Sequence, residues 1–206
     1  MKKILVIQTA FIGDAILTLP LIQFLKQKYI NPEITVLAIP STSSVFENSN
    51  YVSNVIVYDK KGSEKSLLSY LRLIQKIKKM NFEIIYSPHR SVRSTLISFF
   101  SGAKNTIGFD KADLSFLYKK IIPYNKSDHE VKRNLALADF DFEKNNWKIL
   151  PEIEFENIDK EKIDKLFFND SKKLIAIAPG SVWNTKVYPK NYYIEIAKWL
   201  IDKNYF

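Results

Sequence analysis

The sequence predicts an α/β architecture built on a parallel, doubly wound sheet. Three observations carry that expectation. The chain opens with the run Lys3-Ile4-Leu5-Val6-Ile7-Gln8, a Gly-containing break over 9–14, and an apolar-periodic segment from Ala15 to Tyr29. A short β-branched strand, a turn and a helix form the opening unit of such a domain. Short apolar runs and helical patterns then alternate along the chain. Finally, the pattern begins afresh with Lys173-Leu174-Ile175-Ala176-Ile177-Ala178-Pro179, a Gly-containing loop, and a helix from Lys190 to Lys203. Residues 1–157 therefore read as a Rossmann-like first domain. Residues 158–206 read as a linking helix and the first strand–loop–helix unit of a second Rossmann-like domain.

Pro20 removes one backbone donor from the first helix, which places a kink near Ile16 to Pro20. Glu33 to Ile39 is the second strand, ended by Pro40 and the cluster Ser41-Thr42-Ser43-Ser44. Asn54 to Tyr58 is the third, followed by Asp59 and a Lys60-Lys61-Gly62 turn. Ser66 to Met80 is a helix whose spacing puts Leu67, Leu71, Ile74 and Ile77 on one apolar face. Phe82 to Tyr86 is the fourth strand. A polar loop, Ser87 to Ser94, leads into a helix from Thr95 to Ser101, with Ser91 as its candidate cap. Ile121 to Tyr124 is a short strand. Asp128 to Leu137 is a helix capped by Ser127 or Asp128. Glu143 to Asn157 is the polar crossover, and Asp159 to Phe168 the linking helix.

In open α/β sheets, ligands sit beyond the carboxyl ends of the strands. Asp14 stands at that edge, just after Gly13. It reads either as an acid favouring a helix N-terminus or as a general base facing a cleft. Arg90 and Arg93 lie at the equivalent edge after the fourth strand. They read as ligands for carboxylate or phosphate, or as solvated loop residues. His89 has no spaced partner for a metal site or a triad and reads as structural or substrate-facing. His129 opens a helix and reads as cleft-facing or as a structural helix start. Asp139-Phe140-Asp141 spells an Asp-x-Asp, but it follows a helix and reads as a helix end. In the second unit, Gly180 allows backbone N–H groups to approach an anion. Ser181 and Thr185 add hydroxyl donors, and Lys186 adds charge suited to a diphosphate.

Two stretches together carry a family resemblance. Gln8-Thr9-Ala10-Phe11-Ile12-Gly13-Asp14-Ala15-Ile16-Leu17-Thr18-Leu19-Pro20 resembles the N-terminal signature of the heptosyltransferases of lipopolysaccharide core synthesis, glycosyltransferase family nine. Pro179-Gly180-Ser181, followed by Lys186-Val187-Tyr188-Pro189, resembles the opening of that family's second domain. The stretch His129-Glu130-Val131-Lys132-Arg133-Asn134-Leu135 is also similar to a family pattern. The resemblance implies a GT-B architecture and an inverting, metal-independent transfer of heptose from ADP-heptose to the lipid A–core acceptor. It implies Asp14 as catalytic base and Gly180, Ser181, Thr185 and Lys186 as donor-diphosphate ligands. Gly13, Arg90, Arg93 and His129 fall on the acceptor side. No cofactor is implied. The chain reads as part of such an enzyme and is expected to be inactive alone. The alternatives are a related transferase using another nucleotide sugar, a non-catalytic half-protein binding an acidic glycolipid, and a generic flavodoxin-like binding domain.

Composition fits this reading. The 206 residues are 46% hydrophobic and 26% charged, as in a globular protein. The absence of cysteine excludes disulfides and thiol chemistry, and two histidines are too few for a His-rich metal site. The net charge of +9 favours anionic partners. The lysines are scattered and no nucleic-acid module is present, so nucleic acid is not expected as a partner. Met1-Lys2-Lys3 before an apolar run imitates a secretory signal, but Gln8, Thr9 and Asp14 interrupt it. No stretch is apolar enough for a membrane span. The expected location is cytoplasmic, with peripheral contact to the inner membrane possible through the lipid-linked acceptor.

Overall fold

A computed structural model describes residues 1–62, 64–155, 157–167, 175–181, 184–203 and 205. The chain divides into two compact units, Met1–Glu154 and Phe155–Phe206.

The first unit runs β1 (Lys3–Ile7), α1 (Ile12–Ile16), α2 (Leu19–Lys28), β2 (Glu33–Ala38), α3 (Ser43–Glu47), β3 (Asn54–Val57), α4 (Leu67–Lys79), β4 (Ile84–Ser87), α5 (Val92–Phe100), β5 (Asn105–Phe109), β6 (Lys120–Ile122) and α6 (Glu130–Ala136). The six strands form one sheet in the order β3-β2-β1-β4-β5-β6, and every neighbouring pair is parallel. The order reverses between β1 and β4, the topological switch point at which Rossmann-like sheets bind ligands. The α/β expectation therefore holds, with a Rossmann-like first domain.

Alternation along β1 explains the layering. Ile4 and Val6 pack with Leu21, Ile22 and Leu25 of α2 on one face of the sheet. Leu5 and Ile7 pack with Leu73, Ile74 and Ile77 of α4 and Ile97 of α5 on the other. A central parallel strand is covered on both faces, so it reads as continuously apolar.

The opening helix is two helices. Pro20 has no N–H for the Ile16 carbonyl, and the chain breaks at Leu17-Thr18 before α2 resumes with its proline in the first turn. The first piece starts earlier than the apolar pattern suggested, because the Ala15 and Leu17 amides already bond to Phe11 and Gly13. Asp14 thus lies in the first turn of α1.

Several other expectations are corrected. Leu67 and Leu71 of α4 are 72% and 46% exposed, and the buried stripe is Tyr70, Leu73, Ile74 and Ile77. Two apolar stripes overlap on this helix. The Tyr70 hydroxyl, donating to the Arg93 carbonyl at 2.8 Å, fixes which one meets the sheet. The serine-rich stretch after β2 does more than end a strand: it leads into α3, which inserts Val45 and Phe46 into the core. β5 is a further strand, in the stretch between the helix expected over Thr95 to Ser101 and the strand expected from Ile121. A Cβ at Gly108 would collide with the Tyr118 ring, so only glycine fits there. β6 ends at Ile122 rather than Tyr124, since Pro123 cannot donate to a ladder. α5 begins at Val92, with Ser91 accepting from the Ser94 amide. α6 is capped by His129, whose Nδ1 accepts from the Val131 amide at 3.3 Å, and not by Ser127 or Asp128. Asp128 pairs instead with Lys132.

The second unit contains α7 (Asn157–Phe167), a 3-10 turn (Asn184–Lys186) and α8 (Lys190–Asp202). The strand expected over Lys173 to Pro179 is absent from its described part. Lys173 and Leu174 lie outside the described residues, and Ile175 to Pro179 carry no strand pairing and are exposed. A strand exists through its ladder bonds, and the described residues of this unit supply no neighbouring strand.

Candidate active site

The switch point gathers the end of β1, the first turn of α1, the loop after β4, the residue following Pro123 and the start of α6. A pocket of about 240 Å³ opens there, with Asp14, His89, Arg90, Tyr124 and Glu130 among its walls. Its floor is braced by polar contacts. The buried Gln8 side chain donates to Thr18 Oγ1 at 2.8 Å, and Thr18 donates to the Asp14 carbonyl at 2.8 Å. These bonds satisfy groups left over where Pro20 interrupts the helix.

Asp14 is half-buried. Burial raises its carboxyl above the ordinary range, and the charge of Glu130 adds to the rise. Backbone N–H bonds at Phe11 and Asp14 and the Arg90 charge act against it. A half-buried carboxylate pushed upward beside an open pocket has the makings of a proton acceptor. Gly13 beside it is exposed, and a side chain there would meet nothing within 4 Å, so the approach to Asp14 is open.

Arg90 lies on Tyr124, its guanidinium 4.2 Å from the ring centroid. Arg133 covers the ring at 4.6 Å. Arg133 is bound to Glu130 and to backbone carbonyls, whereas no ion pair of Arg90 occurs among the described residues. Arg90 thus brings free N–H donors to the pocket.

His89 is held by hydroxyls. Its Nδ1 lies 2.9 Å from Thr9 Oγ1, 2.8 Å from Ser94 Oγ and 3.2 Å from Ser91 Oγ. Burial, then the Lys60 and Arg90 charges, lower its pKa to about 4. The ring is neutral at neutral pH, and with its proton on Nε2 the single Nδ1 lone pair accepts from one of these hydroxyls at a time.

Arg93, paired with Arg90 in the sequence reading, faces elsewhere. Its Nη1 donates to the Tyr58 hydroxyl at 2.8 Å in a separate cavity of about 410 Å³ that also takes in Lys60, Lys61 and Asp113. Lys60 Nζ donates to the Thr9 carbonyl at 2.7 Å, and burial, with Lys61 and Arg93 nearby, lowers its pKa. His129 faces neither cavity's chemistry. It caps α6, its ring lies 5.5 Å from Trp147, and it borders an apolar hollow with Leu17. The residue after it, Glu130, enters the Asp14 pocket. Asp139 of the Asp-x-Asp pairs with Lys28 and Lys120, and Asp141 pairs with Lys144.

In the second unit, Gly180 and Ser181 are exposed and lie outside any helix or strand, and a side chain at Gly180 would meet nothing within 4 Å. Thr185 and Lys186 sit exposed in the 3-10 turn ahead of α8.

Lys60, Lys61, Tyr124 and Glu130 escaped the sequence reading. The lysine pair carried a signal, since it directly follows a predicted strand at the edge where ligands bind. Tyr124 and Glu130 carried none, because only the tertiary fold brings them to Asp14.

A six-stranded parallel sheet in this order, with a polar pocket at its switch point, defines a Rossmann-like ligand-binding domain. The chain belongs to glycosyltransferase family 9 (heptosyltransferase), whose description matches residues 70–206. Lipopolysaccharide heptosyltransferase 1 of Campylobacter coli is 24% identical over 214 residues, covering 98% of this chain and 61% of that protein. The chain therefore spans about three-fifths of that curated relative. A family 9 glycosyl transferase from Veillonella parvula superposes with a TM-score of 0.84 at 20% identity, over 99% of this chain and 61% of that one. ADP-heptose lps heptosyltransferase II of E. coli gives 0.80 at 23% identity, over 100% and 62%. The E. coli heptosyltransferase WaaC with ADP gives 0.70 at 16%, over 98% and 64%. These structural likenesses carry the fold.

Proposed function

We propose that this chain carries the acceptor side and the first donor-side elements of an inverting, metal-independent heptosyltransferase acting on the inner core of lipopolysaccharide. The observation that supports it most is Asp14: a half-buried carboxyl, raised in pKa, at the switch point of a family 9 sheet. In this reading Asp14 takes the proton from an acceptor hydroxyl as that oxygen attacks the anomeric carbon of ADP-heptose. The new C–O bond forms on the face opposite the leaving group. The old bond breaks, and its electron pair departs with ADP. Lys186, with the Ser181 and Thr185 hydroxyls and the Gly180 backbone, stabilises the charge growing on that diphosphate. Arg90 binds an anionic group of the acceptor close to Asp14, and Arg93, with Lys60 and Lys61, binds a second. Gly13 keeps the approach open. We assign His129 to holding the start of α6. No helix among the described residues is long and apolar enough to cross a membrane. A lipid-linked acceptor would bring the protein to the cytoplasmic face of the inner membrane as a peripheral visitor.

The test is Asp14→Asn in the full-length protein, assayed with ADP-heptose and a lipid A–core acceptor. Transfer should fall by about a thousandfold while ADP affinity stays intact. Normal turnover by the variant would end the base assignment. A panel of nucleotide sugars in the same assay tests the donor, and preference for a sugar other than heptose would overturn that part of the reading.

A further inference from the structure

The Asp14 pocket holds a second carboxylate that this mechanism leaves unused. Glu130 is half-buried at the first position of α6. Its carboxylate is clamped by Arg133, whose Nε donates at 3.1 Å and whose Nη2 also binds it. Only 13% of the Arg133 side chain and 22% of the Glu130 side chain remain exposed. Arg133 is itself fixed by the carbonyls of Asn125, Lys126 and Asp128 and by the Tyr124 ring.

The rest of α6 determines where Glu130 points. Asn134 is one helical turn further on, so the two side chains share a face. Asn134 is fully buried, and its Nδ2 donates at 3.0 Å to the Leu17 carbonyl at the end of α1. That bond ties the face of α6 carrying Glu130 to the short helix carrying Asp14. Buried polar groups joined this way hold one arrangement.

We propose that Glu130 is a positioning residue acting through Asp14: a second negative charge, locked by Arg133 across the same pocket, that makes Asp14 a stronger proton acceptor. This rests on the assignment of Asp14 as base. The groups facing Asp14 are Glu130 from α6, His89 and Arg90 from the loop after β4, and Tyr124 from the segment after β6. His89 is neutral at the working pH. Arg90 opposes Glu130, and its own influence on Asp14 is the weaker of the two. Carboxylates paired in one pocket raise each other's proton affinity, because the second negative charge disfavours the first.

The test is Glu130→Gln in the full-length enzyme, read by the pH profile of kcat/KM and by carbon NMR titration of the Asp14 carboxyl. The acid limb and the Asp14 titration should both move to lower pH, by about half a unit or more. The plateau rate should fall about two- to threefold as the base weakens, with KM little changed. Glu130→Asp, which keeps the charge, should restore the limb. Arg133→Gln, which frees the Glu130 carboxylate from its clamp, gives a second variant in which the Asp14 titration should also move, so one poorly folding variant does not remove the test. An acid limb and an Asp14 titration that stay in place in Glu130→Gln would overturn the proposal. If Asp14→Asn proves fully active while Glu130→Gln still moves the Asp14 titration, the base assignment fails and the electrostatic influence of Glu130 stands alone.

Discussion

Two cavities meet at the end of β1 and share Ser91 in their walls, yet only the larger has a clear excess of one charge. The smaller, about 240 Å³, is lined by Asp14, by Glu130 in its ion pair with Arg133, and by Arg90 stacked on Tyr124. The larger, about 410 Å³, gathers Lys60, Lys61 and Arg93 against one carboxylate, Asp113. Burial acts on both, pushing Asp14 up and Lys60 down. The neighbours decide what that does. Around Asp14 a like charge reinforces burial and favours the protonated form, which suits a group that must take a proton. Around Lys60 like charges discourage a bare cation, and a bound anion relieves that repulsion. His89 lines the smaller cavity, and its Nδ1 contacts Thr9 and Ser94, which line the larger. A neutral ring there links the cavities mechanically and adds charge to neither. The pattern fits the proposed division of labour, a proton acceptor in one cavity and anion binding in its neighbour.

Substitutions should separate the two roles. The largest effect expected is the thousandfold or so loss of kcat in Asp14→Asn, with acceptor KM little altered. Lys60→Ala or Arg93→Ala should instead raise acceptor KM by about tenfold or more, the scale of a lost charge-assisted contact, with kcat nearly kept. That loss should deepen at low salt and shrink at high salt. Steady-state kinetics at two ionic strengths measures both. A Lys60 variant impaired only in kcat would erase the distinction between the cavities.

His89 yields a stability prediction of known sign. Its pKa is about 4 when folded against an ordinary 6.5, so the unfolded chain binds more protons between those values. The stabilising contribution is complete above pH 6.5 and drains away as pH falls toward 4. By pH 5, allowing for solvent screening, about 1–2 kcal/mol should be lost. His89→Gln keeps a polar group beside Thr9 and Ser94 but does not titrate. Its urea midpoint should change less between pH 7 and pH 5 than that of the parent protein. Equal slopes would mean that His89 is more solvated than its hydroxyl shell implies.

Much of the fold was legible because parallel strands covered on both faces write long apolar runs, and β1, β2 and β4 do so. α3 and β5 were not, since α3 carries only two apolar residues, Val45 and Phe46, and Thr106 and Gly108 interrupt the apolar run of β5. α4 showed its period but not its face, because Leu67 and Leu71 mimic the buried stripe and only Tyr70's bond across to α5 chooses between them. At the site, Asp14 and Arg90 were legible for a topological reason: each directly follows a strand at the ligand-binding edge. Glu130 and Tyr124 reach the same pocket only through the packing of α6 and the end of β6. His129, the more conspicuous residue by chemistry, spends its ring nitrogen on a helix cap. In the second unit the loop residues Gly180, Ser181, Thr185 and Lys186 were legible as a motif. Ile175 to Pro179, the described part of the strand expected before them, form no ladder, because a motif does not supply a pairing partner.

The smallest effect expected has the opposite sign from the largest. Asp14 has its folded pKa raised above the unfolded value, so the folded chain binds more protons, and stability falls as pH rises through the unfolded pKa and then the folded one. Above that window the folded protein carries a desolvated carboxylate facing Glu130. Asp14→Asn removes that charge while leaving the backbone carbonyl that accepts from Thr18. The inactive variant should therefore melt slightly higher than its parent at neutral pH, with the gap closing in acid as the parent's carboxyl protonates. Charged groups held in unfavourable surroundings for function commonly show this trade. The contrast with His89 sharpens the comparison of the two groups: acid should cost the folded protein stability at His89 and return some at Asp14. Calorimetry of the Asp14→Asn and His89→Gln variants across the same acid range would show both signs, and an Asn variant less stable at every pH would place Asp14 in a structural role.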